Sequence, residues 1–214
     1  MKQTLIFIFV ILMSSCTKNS SIFSPATQTS DRTTYTISGT VLWEHDDVTG
    51  VNGVTVNLTG SETQTTSTDA FGNYSFTVST LGSYTVTPSK LDNLLNGLDT
   101  SDVRSIQRHV TLIAPINDPY KRVAADANKS NTISTIDASI INQALLGNPQ
   151  ALAILAPSWK FVDASYTLTL PPNNSGVPSG FPQTRTFTLT GNETGIDFVG
   201  IKRGDVNGST NPSL

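Results

Sequence analysis

The sequence predicts a mainly β protein with a small α module, and three observations carry that prediction. Between residues 34 and 89, apolar residues alternate with polar ones, the period of half-buried strands. Between residues 100 and 146, the period changes twice to that of an amphipathic helix. Thr, Ser, Asn and Gly are abundant while charged residues make up only 14% of the 214, a composition suited to short strands and polar turns on an exported chain. The 13 basic and 16 acidic side chains give no electrostatic reason to expect a nucleic-acid partner.

Met1 and Lys2 precede an unbroken apolar run at 5–13, followed by Ser14, Ser15 and Cys16. A basic start, a short apolar stretch and small residues at its exit make a signal segment, too short to span a bilayer. Cys16 is the only cysteine and has no intramolecular disulfide partner. The arrangement resembles a bacterial lipoprotein signal peptide over 1–16, with Met13 a less usual residue at its place. An ordinary cleaved signal with an incidental cysteine is the competing reading. The resemblance implies lipidation at Cys16, and a chain tethered by its lipid anchor to a membrane, the outer membrane or cell surface of a Gram-negative bacterium. Residues 17–33, rich in Ser and Thr, then form a flexible spacer.

From Thr34 the alternation places Tyr35, Ile37 and Val41 on one face, then Val54, Val56 and Leu58, then Tyr74, Phe76 and Val78, then Tyr84 and Val86. Turn residues at 50–53, 59–61, 69–73 and 81–83 separate them at the spacing of an all-β sandwich. Thr68, Asp69, Gly72, Tyr74 and Phe76, followed by Gly82, Tyr84, Val86 and Pro88, resemble the carboxypeptidase regulatory-like domain and the B-type repeats of bacterial collagen adhesins. The resemblance implies a prealbumin-like β-sandwich over 34–89 and reports fold more than activity. Glu44, His45, Asp46 and Asp47 form an acidic cluster able to meet a cation, yet a strand-to-loop boundary is where solvated charges ordinarily collect.

Val103, Ile106 and Val110 follow Asp102 at helical spacing, and Ala138, Ile141 and Leu145 follow Asp137 at the same offsets. This internal repeat predicts helices over about 100–112 and 135–146. Before the second stands a twelve-residue stretch, 126–137, with oxygen-bearing side chains Asp126, Asn128, Ser130 and Asp137 at positions 1, 3, 5 and 12. Thr132 at position 7 offers its carbonyl, and Ile133 at position 8 is expected to enter the core beside a partner loop. Asn131 replaces the usual glycine at position 6, where Asn tolerates the left-handed conformation. The same residue types also serve as turns and helix caps without a metal. The stretch resembles one half of a type I dockerin, which implies calcium as cofactor and a dockerin-like module over 90–148. With only two carboxylates and Lys129 nearby, the affinity is expected on the order of 10⁻⁴ M or weaker.

The first repeat lacks the front of its loop, since Leu91 and Leu95 stand where ligands belong. Asp205, Asn207 and Ser209 near the other end have the spacing of Asp126, Asn128 and Ser130. The hypothesis is that they fold beside residues 96–102, where Asp99, Asp102 and the Gly97 carbonyl complete a split site. The alternative is that they are a vestigial linker. Stretches 158–162, 166–170, 184–189 and 196–201 read as short strands of a β-rich extension over 149–214, around a Pro-, Asn- and Gly-rich loop at 171–183.

With His45 and His109 the only histidines and no nucleophile elbow or zinc motif, the chain reads as non-catalytic. The functional expectation is a calcium-binding, surface-anchored interaction or assembly lipoprotein with a protein partner. The dockerin resemblance implies a cohesin-like partner, met through Thr100 with Ser101 and Thr135 with Ile136. Ile136 departs from the hydroxyl residue usual at that place. The rival is a carbohydrate-binding accessory protein in polysaccharide utilisation, with Trp43 and Trp159 stacking on sugar rings.

Overall fold

The alternating stretches become strands wherever one of their faces finds a core. The computed structural model describes residues 32–214; Cys16, the signal segment and nearly all of the spacer lie outside the described residues. The first strands are β1 (Tyr35–Trp43), β2 (Thr55–Gly60), β3 (Gln64–Ser67), β4 (Asn73–Val78) and β5 (Gly82–Ser89). β4 buries Tyr74, Phe76 and Val78 in strict alternation, as its period requires. β3, all polar, had no apolar pattern to announce it; it is held at a sheet edge by antiparallel pairing with β2.

Four helices follow: α1 (Thr100–Val110), α2 (Pro119–Ala125), α3 (Thr135–Leu145) and α4 (Pro149–Leu155). α1 and α3 are the repeat helices. α2 and α4 are short, each starting with proline behind an Asx cap, Asp118 and Asn148, whose side chains accept the next free amides. An Asx residue followed by proline starts a helix without any apolar period.

The chain then returns to strands β6 (Trp159–Asp163), β7 (Arg185–Leu189) and β8 (Phe198–Lys202). One sheet has the order β4-β1-β8-β6 and the other β3-β2-β5-β7. β8 runs parallel to β1, pairing Val41 with Phe198, and β7 runs antiparallel to β5. The boundaries drawn at 34–89 and 149–214 therefore do not follow the sheets: the later strands complete both of them. The helices are an insertion between β5 and β6. Residues 166–170, expected as a strand, form none; Asp163 turns the chain there by accepting the Ser165 amide and hydroxyl.

The inner faces of the two sheets enclose one core, with Ile37, Val41, Val56, Phe76, Tyr84, Trp159, Leu189 and Phe198 among its members. A second core lies between the helices and the outer face of β6 and β8, joining Ile106, Ile141 and Leu155 to Val162 and Ile201. β6 and β8 are buried on both faces because each serves both cores.

Candidate metal loops

The two repeat helices begin alike. Asp99 caps α1 and Ser134 caps α3, each accepting the amide two residues on. In each, the aspartate three residues into the helix reaches back: Asp102 Oδ2 accepts the Asp99 amide and Asp137 Oδ2 the Ser134 amide, both at 2.9 Å. The other oxygen of each aspartate faces the loop. Asp137 Oδ1 accepts the Asn128 amide at 3.2 Å, and Asp102 Oδ1 accepts the Asn207 amide at 3.0 Å and that of Val206 at 2.8 Å.

The front halves match in the same detail. Asp126 accepts the Ser130 amide on Oδ1 and the Asn131 amide on Oδ2, both at 2.9 Å. Asp205 accepts the Gly208 and Ser209 amides on Oδ1 and the Thr210 amide on Oδ2, at 2.8 to 3.0 Å. The Ser130 hydroxyl donates to the Thr132 carbonyl at 3.1 Å, and the Ser209 hydroxyl to the Gly97 carbonyl at 2.7 Å. The fourth residue of each front half has positive φ, 64° at Lys129 and 74° at Gly208, which turns the chain tightly enough for alternate side chains to face inward. Asp205, Asn207 and Ser209 thus lie beside Gly97, Asp99 and Asp102, in the arrangement that Asp126, Asn128, Ser130, Thr132 and Asp137 make from contiguous chain.

Two details differ from the sequence reading. Ile133 is buried, but its amide donates to the Ser175 carbonyl and the Val177 amide donates to Asn131, so the intact loop is bridged by the 171–183 loop and not by the first loop. Among the described residues, no three His, Cys, Asp or Glu side chains gather as a metal cluster. Asp99 is engaged as the α1 cap and in accepting from Asn207 Nδ2 at 3.3 Å, which leaves Asp102 and Asp205 as the split loop's inward carboxylates. Each loop therefore offers two carboxylates with amide, hydroxyl and carbonyl oxygens.

Asp102, Asp137 and Asp205 are fully buried and Asp126 nearly so, yet among the described residues none of the four forms an ion pair. Burial pushes Asp102 up to about 6 against the lowering effect of its amide donors, and Asp126 is raised for the same reason. Buried carboxylates are ordinarily paired or on a metal, so an oxygen-seeking cation fits this donor set.

The acidic cluster at 44–47 does not converge. Asp46 folds its own turn through the Val48 and Thr49 amides, while Glu44 points inward, 7% exposed. Lys121 Nζ stands 3.5 Å from Glu44 Oε1, too long for a strong charge-assisted bond, and neither Glu44 oxygen takes a hydrogen bond. Burial raises its pKa from 4.5 to about 7, only partly offset by Lys121. A raised folded pKa means stability is fully present below about 4.5 and is lost as pH rises through about 7. Glu44→Gln is expected to remove up to roughly 3 kcal/mol of that loss, read as the difference between variant and wild-type unfolding free energies from pH 4 to 8 in chelator. Equal slopes would show that Glu44 does not titrate across that window.

The candidate sugar platforms are core residues: Trp43 and Trp159 are 6% and 2% exposed, with both indole nitrogens buried. Stacking of either on a sugar ring is ruled out in this fold. His109 is a packing residue: it is buried, and its Nδ1 accepts the Ile116 amide.

Residues 43–107, 65 of the 214, match the profile of the SdrD B-like domain. The matched span runs from the end of β1 through β5 into α1 and stops before the loop at 126–137. No curated protein and no solved structure matches the chain. The chain is therefore β-rich, two-sheeted and, over residues 43–107, similar to the SdrD B-like domain.

Proposed function

We propose that the protein is a non-catalytic interaction or assembly module stabilised by calcium, carried outside the cell on a lipid anchor at Cys16. The observation that supports it most is the buried, ion-pair-free pair Asp126 and Asp137, enclosing Asn128, Ser130 and the Thr132 carbonyl within one tight loop. Calcium supplies two positive charges to a ring of oxygens whose buried carboxylates otherwise have no direct ion pair. Asp126 and Asp137 hold the ion from the two ends of the loop, and Asn128, Ser130 and the Thr132 carbonyl complete its oxygen shell. Ile133 anchors the loop in the helical core, so binding is coupled to folding of the α3 start. This is the chemistry of one half of a type I dockerin.

The interaction role draws on the SdrD B-like match and on exposed apolar side chains at the ends of the repeat helices. Leu112 and Ile113 follow α1, Leu146 follows α3, and Ile136 lies in the first turn of α3, all well exposed. Such residues suit a protein partner better than a sugar. The signal segment and the lone Cys16 support export and anchoring.

Calcium at tenfold its dissociation constant is expected to stabilise the chain by about 1.4 kcal/mol per site, raising Tm by roughly 3–6 °C. Asp126→Asn is expected to lose the share due to the intact loop. Thermal unfolding in millimolar calcium, magnesium and chelator checks this, and a Tm that ignores calcium in the wild type would overturn the reading.

A further inference from the structure

The split loop joins parts of the chain that are 104 to 112 residues apart. Val206 and Asn207 donate their amides to Asp102, Ser209 donates to the Gly97 carbonyl, and Thr210 Oγ1 donates to the Asn96 carbonyl at 3.1 Å. These bonds hold 204–214 against the entry to α1. They follow directly after β8, which carries the middle of one sandwich sheet.

We propose that a second calcium ion binds between residues 205–209 and residues 97–102 and latches the segment after β8 onto the start of α1. Asp205, Asn207, Ser209, the Gly97 carbonyl and Asp102 hold it, with Asp99 reaching it through water as the residue at that loop position commonly does. The inference rests on the calcium reading of the intact loop.

One observation besides loop geometry points to a cation here. Asn207 Oδ1 is buried and accepts no hydrogen bond, although its own Nδ2 donates to Asp99. The matching oxygen of the intact loop, Asn128 Oδ1, accepts the Ser130 amide at 3.0 Å, so the missing donor is particular to the split loop. A buried amide oxygen without a donor is costly unless a cation or water meets it. Glu44, wholly buried and in the field of Asp205, is already paired with Lys121 at 3.5 Å and is not a ligand of the loop. Its neighbour His45 packs against the loop at Gly208, where a Cβ would fall 2.1 Å from the ring. Each front carboxylate has a cation in its field, Lys202 near Asp205 and Arg203 near Asp126, so it is the unpartnered Asn207 oxygen that sets the split loop apart.

The latch makes calcium control a place no local site would reach. Filling it should slow amide exchange over 204–211 and 94–102, whereas filling the intact loop should slow exchange over 126–137. Calcium titration by calorimetry and site-resolved hydrogen exchange on the full chain test this, using calcium chloride as the probe. Two ions per chain are expected, one lost in Asp126→Asn with calcium protection of 204–211 retained. Asn207→Ala, which removes the unpartnered oxygen, should weaken the other ion at least about tenfold and abolish that protection. Asp205→Asn, which keeps the side chain's shape, should do the same. One ion, lost in Asp126→Asn with no calcium effect on 204–211, would overturn the latch and leave the intact loop standing. One ion that protects 204–211 but not 126–137 would support the latch and overturn the other reading. No ion at millimolar calcium would overturn both.

Discussion

Replacing Trp159 by alanine is expected to cost about 3–5 kcal/mol and to weaken the whole described chain, not the later strands alone. The reason is where β6 sits. Trp159 is 2% exposed in the sandwich core, alongside Ile37 and Val41 of β1. Its ring lies 3.4 Å from where a Cβ would stand on Gly200, so it fills the space that glycine leaves on β8. β8 in turn is hydrogen-bonded between β6 and β1, and a cavity at Trp159 reaches the first strand of the fold through one intervening strand. A loss of that size is a large share of the 5–15 kcal/mol typical of a domain. Equilibrium denaturation followed by far-ultraviolet circular dichroism, with hydrogen exchange resolved by segment, checks it. Exchange should rise over 35–89 as well as over 159–202. If 35–89 kept its wild-type protection, the later strands would be a separate unit, as their position beyond the helices first suggests.

That contrast also shows what the sequence makes legible. β1, β2, β4 and β5 follow from side-chain period alone, since Ile37, Val56, Phe76 and Val86 have only one face on which to be buried together. The ends of β6 and β8 were within reach of the same argument, but their partners were not. Pairing of Val41 with Phe198 is a contact across most of the chain, and nothing local to either residue encodes it. The split loop was legible for a different reason: Asp205, Asn207 and Ser209 repeat the spacing of Asp126, Asn128 and Ser130, and repetition carries across any distance in sequence. Ile133 shows the limit of that argument. Repetition predicted that it would face the other loop, whereas its backbone is taken by Ser175, from a loop with no counterpart in the first repeat. Glu44 was unreadable as a buried acid because the Lys121 beside it arrives on α2, a helix the periodicity did not reveal.

Gly97→Ala is expected to destabilise the chain by about 2–4 kcal/mol, from two separable causes. Gly97 has φ +80°, a conformation that disfavours any side chain, and this alone accounts for about 1 kcal/mol. The larger part comes from contact. A Cβ at 97 would fall 2.0 Å from Thr210 Oγ1, 2.5 Å from its Cα and 2.6 Å from its amide nitrogen. Turning the threonine side chain relieves only the first of these, so the backbone of 205–211 must move away. Gly147 provides the control: φ is +78° there, but a Cβ would meet nothing within 4 Å. Gly147→Ala should therefore show the conformational cost alone, and the difference between the two variants measures the packing of 204–214 on the start of α1. Denaturant unfolding in chelator gives that difference free of any metal. Equal costs would mean the segment does not rest on Gly97. A further consequence separates packing from metal binding: displacing Thr210 also draws Ser209 off the Gly97 carbonyl, so the variant should lose calcium protection of 204–211 while keeping that of 126–137.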